Sequence, residues 1–471
     1  MYKCDIGIYG LGIMGQNLAI NFASREFAVS VFNRMEAGEE RVVDNFISSR
    51  CQGKKIYGTG DIRNFVNSIK VPRKIIIMVK TGTAVDDVVD QLIPLLEKED
   101  IVIDCGNSHY RDTATRLSKL ESRGVLFVGC GISGGGKGAL NGPSIMAGGS
   151  FRAWGKIRYM FQAIAAKCEN GEPCCDWIGP VGSGHFVKMV HNGIEYALMQ
   201  TIAESYDIMK RLLSMSIDEM VSVTSEWNEG ELNSYLIEIT RDILKMRDND
   251  GRPLVEKILD CAEQKGTGRD ISISALELGV PATTINESLS ARFVSSMIEE
   301  RRCAFKQVIG QGQFCGDKQA LLKALHDAVY CSQLIVYMQG FMLIARASAE
   351  YNWNLDYAKI ARIWKNGSII RSHLLDDIAV KMKKTVLDNI LRYQFVIDVI
   401  NRKQISWRST IITAIQHGIP VPALSSALTF FDGIRSERLP ANLIQAQRDY
   451  FGAHGYERLD APRGELFHIR R

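Results

Sequence analysis

One segment of the chain places four polar residues at helical spacing: Lys188, His191, Asn192 and Glu195. The segment 185–210 follows the glycine-rich turn 179–184, contains no proline and has a single glycine, which predicts a long helix. At about 100° per residue, the four side chains fall within an arc of roughly 100° on that helix. Such a stripe is typical either of the solvated side of an amphipathic helix or of a reactive site, and spacing alone favours neither.

The pair Lys188 and Glu195 has the chemistry of a base and an acid. Two such residues seven positions apart on a helix can act on one small substrate. A lysine serves as a base only where burial or a neighbouring cation lowers its pKa towards neutrality. The pair therefore predicts acid–base catalysis if the fold or a ligand provides that environment.

A glycine-rich loop near the N-terminus has the spacing GxGxxG. It follows a predicted strand at residues 5–9 and opens a helix predicted to begin near Gln16. The first glycine permits a tight turn, the second allows the backbone to approach a pyrophosphate, and the third allows the helix to pack on the strand. This context favours a dinucleotide site over an incidental turn, and a positive nicotinamide ring would supply the cation that Lys188 needs. The loop consists of Gly10, Leu11, Gly12, Ile13, Met14 and Gly15.

The second predicted strand, residues 29–32, is followed by Asn33 and Arg34. An NAD site usually has an acidic residue here to bind the ribose hydroxyls. Arginine instead suits the 2′-phosphate of NADP, because it is always charged and binds phosphate with two parallel hydrogen bonds. The predicted cofactor is NADP, and the alternative is that Arg34 is a solvated surface charge.

The elements that position these residues fall into three regions. Residues 1–176 alternate short β-branched runs with amphipathic stretches, which predicts βαβ units and an α/β Rossmann-type, doubly wound parallel sheet. Residues 177–434 carry a 3.6-residue apolar period and are predicted to form an all-helical domain. Residues 435–471, rich in proline and glycine, are expected to form an extended tail. The predicted strands are 5–9, 29–32, 74–78, 101–104 and 126–129.

Composition excludes several classes of protein. The 471 residues include 57 basic and 53 acidic ones, a formal net charge of +4, so nucleic acid is not an expected partner. Hydrophobic residues at 46% and charged residues at 23% are typical of a globular chain. No apolar run reaches the 18 residues that a membrane span needs, which predicts no membrane span, and the N-terminal apolar stretch is interpreted as a strand rather than a signal.

The spacing of the cysteines and histidines indicates neither disulfide bonds nor a metal site. The 11 cysteines show no CxxC pair, which predicts free thiols in a reducing compartment. The 8 histidines show no metal-ligand spacing, so no metal site is expected.

Residues 188–196, Lys-Met-Val-His-Asn-Gly-Ile-Glu-Tyr, resemble the signature of the decarboxylating 6-phosphogluconate dehydrogenase family. Further similar segments are 104–108, 133–135, 265–268, 442–450 and 451–454, so that the resemblance covers essentially the whole chain. It implies a Rossmann domain, a large helical substrate and dimerisation domain at residues 177–434, and a tail that enters the partner subunit of a homodimer.

The resemblance also implies an activity. This is the NADP-dependent, metal-free oxidative decarboxylation of 6-phospho-D-gluconate to D-ribulose 5-phosphate, CO2 and NADPH, in the oxidative branch of the cytoplasmic pentose phosphate pathway. Lys188 is then the general base and Glu195 the general acid. The implied cofactor ligands are the Gly10–Gly15 loop with Asn33, Arg34, Met35, Val79, Lys80 and Asn107. The implied substrate ligands are Asn107, Ser133, Gly134, Gly135, His191, Asn192, Tyr196, Lys265, Thr267 and Arg292, with Arg448 and His454 from a second subunit.

The chain departs from the family's pattern at a few places. Met35 stands where the family usually has a threonine, which removes a hydroxyl from the 2′-phosphate pocket and leaves the strength of the NADP preference open. None of these changes removes a proposed base, acid or phosphate ligand, so we expect an active enzyme. The other departures are Cys105 for glycine, Gly136 and Lys137 for two glutamates, Arg269, Asp270 and Ile271 for Lys-Trp-Thr, and Gly455 for threonine.

Two rival functions remain open from the sequence. A non-decarboxylating β-hydroxyacid dehydrogenase would share the nucleotide loop and a lysine on a similar helix, but it would have little use for the phosphate ligands or for Glu195. A catalytically silent NADP-binding protein is suggested only by the departures, and the intact Lys188 argues against it.

Overall fold

The computed structural model describes residues 3–262, 266–307, 314–381 and 393–469. Its strands are Ile6–Tyr9 (β1), Val29–Phe32 (β2), Ile56–Thr59 (β3), Lys74–Ile77 (β4), Ile101–Asp104 (β5), Leu126–Ser133 (β6), Ser144–Gly149 (β7) and Cys175–Gly179 (β8). They form one sheet in the order β3-β2-β1-β4-β5-β6-β7-β8. Every neighbouring pair is parallel except β6 with β7.

The Rossmann-type, doubly wound sheet is confirmed. All five predicted strands are present, and the sequence analysis missed β3, β7 and β8. Strand β3 lies at the sheet edge and is largely exposed, so it lacks a continuous apolar run, and β7 ends in two glycines. Strand β7 also runs antiparallel to β6, which the sequence did not indicate. Strand β8 crosses the boundary expected at residue 176, so the sheet continues to Gly179.

Helices cover both faces of the sheet because successive side chains of a strand point to opposite sides. One core packs helices Ile13–Ala23 (α1), Val42–Arg50 (α2), Gly135–Asn141 (α6) and Phe151–Ile164 (α7) against alternating residues such as Ile6 and Ile8. The other packs helices Ile62–Asn67 (α3), Thr83–Leu92 (α4) and Tyr110–Glu121 (α5) against residues such as Tyr9 and Ile75. Helix α1 begins at Ile13 and not near Gln16.

The chain is helical after Gly179 in the parts that the structure describes. Short 3-10 turns lie at Ile93–Leu95 and Leu254–Lys257. The α-helices after Gly179 are Ser183–Arg211 (α8), Ile217–Glu229 (α9), Tyr235–Lys245 (α10), Thr267–Glu277 (α11), Thr283–Ser296 (α12), Ile298–Gln307 (α13), Lys318–Glu350 (α14), Tyr357–Trp364 (α15), His373–Lys381 (α16), Gln394–Gln416 (α17), Pro422–Arg435 (α18) and Ala441–Gly452 (α19).

Helix α14 forms the centre of the helical region. It packs against α8 and α17, and the Asp317 carboxylate caps its N-terminus by accepting hydrogen bonds from two backbone N–H groups. Although its sequence is interrupted by polar residues, it contains an 18-residue window of mean hydropathy 1.5, which is long and apolar enough to cross a membrane. Because 94% of that window is buried inside the protein, α14 has the burial of a core helix.

The structure divides into two compact units, residues 1–427 and 428–471. Within the second unit, the expectation of an extended tail is wrong, because α19 occupies Ala441–Gly452. The Asp449 carboxylate organises this unit by accepting hydrogen bonds from the backbone N–H groups of Gly455 and Ile469, at 2.9 and 2.7 Å. Gly455 has φ +77°, a conformation that favours glycine over the family's threonine.

Candidate active site

A cleft of about 690 Å³ lies at the carboxyl ends of β1, β2 and β4. A Cβ added at Gly10 would clash with the backbone of Met78, and one added at Gly15 would clash with the Gly10 carbonyl. Gly12, by contrast, faces open space. The first and third glycines therefore allow strand, turn and helix to pack, while the second leaves room for a pyrophosphate. The predicted residues Gly10, Leu11, Gly12, Asn33, Arg34, Met35, Val79 and Lys80 all line this cleft.

The region expected to bind the 2′-phosphate is built around Asn33 and Arg34. Asn33 accepts a hydrogen bond from the backbone N–H of Leu11 at 3.1 Å, which ties the end of β2 to the glycine loop. Arg34 forms ion pairs with Glu36 at 3.1 Å and Glu39 at 3.2 Å. The Arg34 guanidinium therefore lines the cleft. A phosphate that bound to it would compete with the carboxylates of Glu36 and Glu39 or lie beside them.

The polar stripe on α8 is buried, which answers the question that its spacing left open. Lys188, His191 and Asn192 are buried, and Glu195 is only partly exposed. Helix α8 packs against β6 and β7. A Cβ at Gly131 would clash with the Cβ of Lys188, and one at Gly148 would clash with the backbone of Gly184. Glycines in the two strands therefore allow the polar face of α8 to lie directly on the sheet.

His191 stands at the centre of this stripe. Its Nδ1 lies 3.4 Å from Lys188 Nζ and 3.7 Å from Glu195 Oε2. Its Nε2 lies 2.8 Å from Ser133 Oγ. The Ser133 oxygen also accepts a hydrogen bond from the backbone N–H of Ile369 at 3.2 Å, so β6 and the helical region together hold the imidazole.

Burial shifts the proton affinities of these groups. It lowers the pKa of Lys188 from 10.5 to about 8 despite the opposing charge of Glu195. It raises the pKa of Glu195 against the charges of Lys188 and Arg292. It also holds the pKa of His191 well below its usual value, with Lys188 adding to the effect. Burial therefore shifts Lys188 towards its neutral form and Glu195 towards its protonated form, which are the forms needed for a base and an acid.

Further predicted substrate residues of the first unit lie on α8, near it, or at the start of α6. Arg292 stacks on the ring of Tyr196, with its guanidinium carbon 3.6 Å from the ring centroid. Asn107 shares a small cavity of about 10 Å³ with Lys188 and Asn192. Gly134 and Gly135 have φ +117° and +59° at the start of α6, where glycine is favoured.

Other predicted residues are not brought together in this way. Lys265 lies outside the described residues, and Thr267 is described only as the first residue of α11. Arg448 and His454 belong to the second unit. There Arg448 donates a hydrogen bond to Gln445 Oε1 at 2.9 Å, and the His454 ring packs 6.0 Å from that of Phe451.

Sequence reasoning missed His185. Its buried ring lines the same small cavity as Lys188, and its Nδ1 lies 2.7 Å from Thr113 Oγ1. Its position three residues before Lys188 and seven before Asn192 could have placed it on that face.

The structure gives the surroundings of three residues that depart from the family pattern, Asp270, Ile271 and Cys105. Ile271 is buried against α8, where a Cβ at Gly193 would clash with it, and Asp270 lines the small cavity. Cys105 is buried in the core, where burial raises the pKa of its thiol. The described residues contain no group of three or more histidine, cysteine or carboxylate side chains that could hold a metal ion.

Comparison with known proteins covers both parts of the chain. Residues 5–179 match the model of the NAD binding domain of 6-phosphogluconate dehydrogenase, and residues 184–471 match that of the 6-phosphogluconate dehydrogenase C-terminal domain. The decarboxylating 6-phosphogluconate dehydrogenase of Treponema pallidum is 49% identical over 98% of this chain and 96% of its own length. That of Homo sapiens is also 49% identical, over 99% and 96%. The solved 6-phosphogluconate dehydrogenase of Plasmodium falciparum matches with a TM-score of 0.92 at 39% identity, and the match covers 99% of this chain and all of that one. That enzyme was determined in its apo form, in complex with its cofactor NADP+ and in complex with its substrate 6-phosphogluconate.

Proposed function

The chain belongs to the 6-phosphogluconate dehydrogenase family, and we propose that Lys188 and Glu195 are the base and the acid of its reaction. The enzyme uses NADP to convert 6-phospho-D-gluconate into D-ribulose 5-phosphate, CO2 and NADPH. The observation that carries the assignment of the two residues is their burial on one face of α8, with the pKa of the lysine lowered and that of the glutamate raised.

The nucleotide cleft fits the cofactor, because Gly12 leaves open space at the loop and Arg34 offers a cation at the end of β2. The glycine loop and Asn33 would hold the pyrophosphate and ribose side of NADP. NADP, when bound there, would supply the acceptor for the hydride that leaves C3 of the sugar acid.

Lys188 then has two tasks. As a neutral amine it takes the proton of the 3-hydroxyl while C3 is oxidised, which yields a β-keto acid. As an ammonium ion it returns that proton to the ketone oxygen while CO2 leaves. The electrons of the broken C–C bond then form the C=C bond of an enediol. These steps use groups that the buried site contains.

Glu195 completes the reaction by donating its proton to C1 of the enediol. The hydroxyl proton at C2 returns to Lys188 as the ketone forms. A non-decarboxylating dehydrogenase would stop at the keto acid and would not need this carboxyl group.

A direct assay tests the assignment. The purified protein is given 6-phosphogluconate and NADP while nicotinamide absorbance and CO2 are followed together. We expect both signals in equal amounts, and no turnover from Lys188→Met although it still binds NADP. NADPH without CO2 would support the β-hydroxyacid dehydrogenase alternative, and near-normal rates from Lys188→Met would show that Lys188 is not the base.

We further propose that the active site is shared between the subunits of a homodimer. Residues up to Gly179 form the nucleotide-binding part, the helices up to about residue 434 form the substrate and dimerisation part, and the tail from 435 serves the partner subunit. Arg448 and His454 support this, because they place a cation and an imidazole on a compact polar segment, and a phosphate needs such donors.

Subunit mixing tests this proposal. Arg448→Ala and Lys188→Met chains, each inactive alone, should regain partial activity when mixed, because one of the two sites in a mixed dimer keeps both residues. No recovery despite demonstrated subunit exchange would show that Arg448 serves its own subunit or none.

We also propose a cytoplasmic location. Buried cysteines such as Cys4, Cys51 and Cys331 are free thiols, as expected in a reducing compartment. Fractionation of cells should find the protein with cytosolic markers.

A further inference from the structure

The proposed acid–base pair must be reset after each turnover. This inference rests on the proposed function of Lys188 and Glu195. Lys188 begins as a neutral amine and ends as an ammonium ion, because it takes the last hydroxyl proton. Glu195 begins as a carboxylic acid and ends as a carboxylate, because it gives its proton to C1. One proton must therefore pass from Lys188 to Glu195 before the next substrate can react.

The two groups do not contact each other. They are seven positions apart, which corresponds to a rise of about 10.5 Å along α8. Within the described residues, no ion pair of 4.0 Å or less joins Lys188 to Glu195, whereas His191 reaches towards both. The same imidazole nitrogen, Nδ1, lies 3.4 Å from the amine and 3.7 Å from the carboxyl oxygen.

We propose that His191 is the proton relay that resets the catalytic pair. The Nδ1 lone pair accepts a proton from the Lys188 ammonium group, and the resulting imidazolium donates a proton from the same nitrogen to the Glu195 carboxylate. The lysine becomes neutral, the glutamate becomes protonated, and the imidazole returns to its starting tautomer. No proton is gained or lost, and no external reactant is needed.

The contacts of the ring favour this direction of transfer. Ser133 Oγ, 2.8 Å from Nε2, can accept the Nε2–H hydrogen bond, and in that tautomer the Nδ1 lone pair can accept the proton of Lys188. Asn192 Oδ1, 3.3 Å from Nδ1, can accept a hydrogen bond only after Nδ1 is protonated, so it stabilises the imidazolium formed during the transfer. The ring is fully buried and packs edge-on against Trp364 at 5.8 Å, so it stays between its two partners. Burial also lowers the pKa of His191, so a proton is not trapped on the relay.

Direct exchange with solvent is hindered at the lysine end. Lys188 is 6% exposed, whereas the Glu195 side chain is 23% exposed. Water can therefore reach the Glu195 carboxylate more easily than the Lys188 ammonium group. Direct transfer of a proton from Lys188 to water would have to start from a buried group. The imidazole connects the buried end with the accessible one.

Rapid mixing distinguishes a relay from a substrate ligand. In His191→Gln, the first turnover forms NADPH before any reset is needed, so a burst of one NADPH per site should precede a slow steady state. The ratio of burst rate to steady-state rate should rise at least tenfold over the wild-type protein, and added imidazole should speed the steady state without changing the burst. If this variant does not fold, His191→Asn carries the same test.

The matched control is Asn192→Ser, which removes a neighbour 3.3 Å from the same nitrogen and keeps the imidazole. It should slow burst and steady state by the same factor. Equal slowing of both phases in the His191 variant, with no effect of imidazole, would overturn the relay. A wild-type protein that forms no NADPH from 6-phosphogluconate would instead overturn the proposed function.

Discussion

Replacing Lys188 by methionine should stabilise the folded protein while it abolishes activity. Burial lowers the pKa of Lys188 from 10.5 to about 8. Since each pKa unit corresponds to about 1.36 kcal/mol, the protonated amine costs the folded state about 3 kcal/mol at neutral pH. Methionine has a similar unbranched shape and no charge to desolvate, so the variant avoids this cost.

The gain in stability should depend on pH in a defined way. Because the folded-state pKa of Lys188 lies below its unfolded value, the unfolded chain binds more protons between these two values. The free energy of unfolding of the wild-type protein therefore rises with pH between about 8 and 10.5. The advantage of Lys188→Met should be about 3 kcal/mol below that window and should disappear above it.

Equilibrium urea unfolding, followed by tryptophan fluorescence at several pH values, measures this difference. The matched control is Lys210→Met on the same helix, since the Lys210 ammonium is partly exposed and pairs with Glu256 at 3.0 Å. Removing that surface pair should cost about 1 kcal/mol or less. A Lys188→Met protein that is less stable at neutral pH, or whose advantage persists unchanged above pH 10.5, would refute the desolvation argument.

Three further predictions concern activity. The kcat/KM for 6-phosphogluconate should rise with pH up to about 8 and level off above it, because the fraction of neutral Lys188 grows as the pH passes through its pKa; a flat profile below 8 would contradict this. Arg34→Ala should lower the preference for NADP over NAD by a factor of about 10 to 100, since a charge-assisted hydrogen bond is worth about 1.5–3 kcal/mol. Glu36→Gln should instead strengthen the preference for NADP. The ratio of kcat/KM for the two cofactors measures both effects. Gly131→Ala should abolish turnover because its Cβ would displace Lys188, whereas Gly155→Ala, which meets open space, should leave turnover unchanged in the same assay.

The nucleotide loop could be predicted from the sequence because its requirements are local. Strand, glycine turn and helix are consecutive in the chain, and the clashes expected at Gly10 and Gly15 arise within that unit or with the adjacent strand. The long helix that carries Lys188 could also be predicted, since a glycine-rich turn containing Pro180 precedes it and no proline interrupts it. The helix found at Ala441–Gly452 was not predicted, because prolines and glycines flank it in a polar segment.

The sequence by itself determined the residue types on the face of α8 and their angular spacing, but not whether that face meets water or protein. That was decided by the tertiary structure, because Gly131 and Gly148 lie on two separate strands and must come together before the helix can approach them. Burial of the face then lowers the pKa of Lys188 and raises that of Glu195. The placing of one His191 nitrogen between them likewise depends on contacts from Ser133 and Ile369, which are far apart in the chain. Spacing along a helix is a local property, whereas desolvation depends on every element that packs against it.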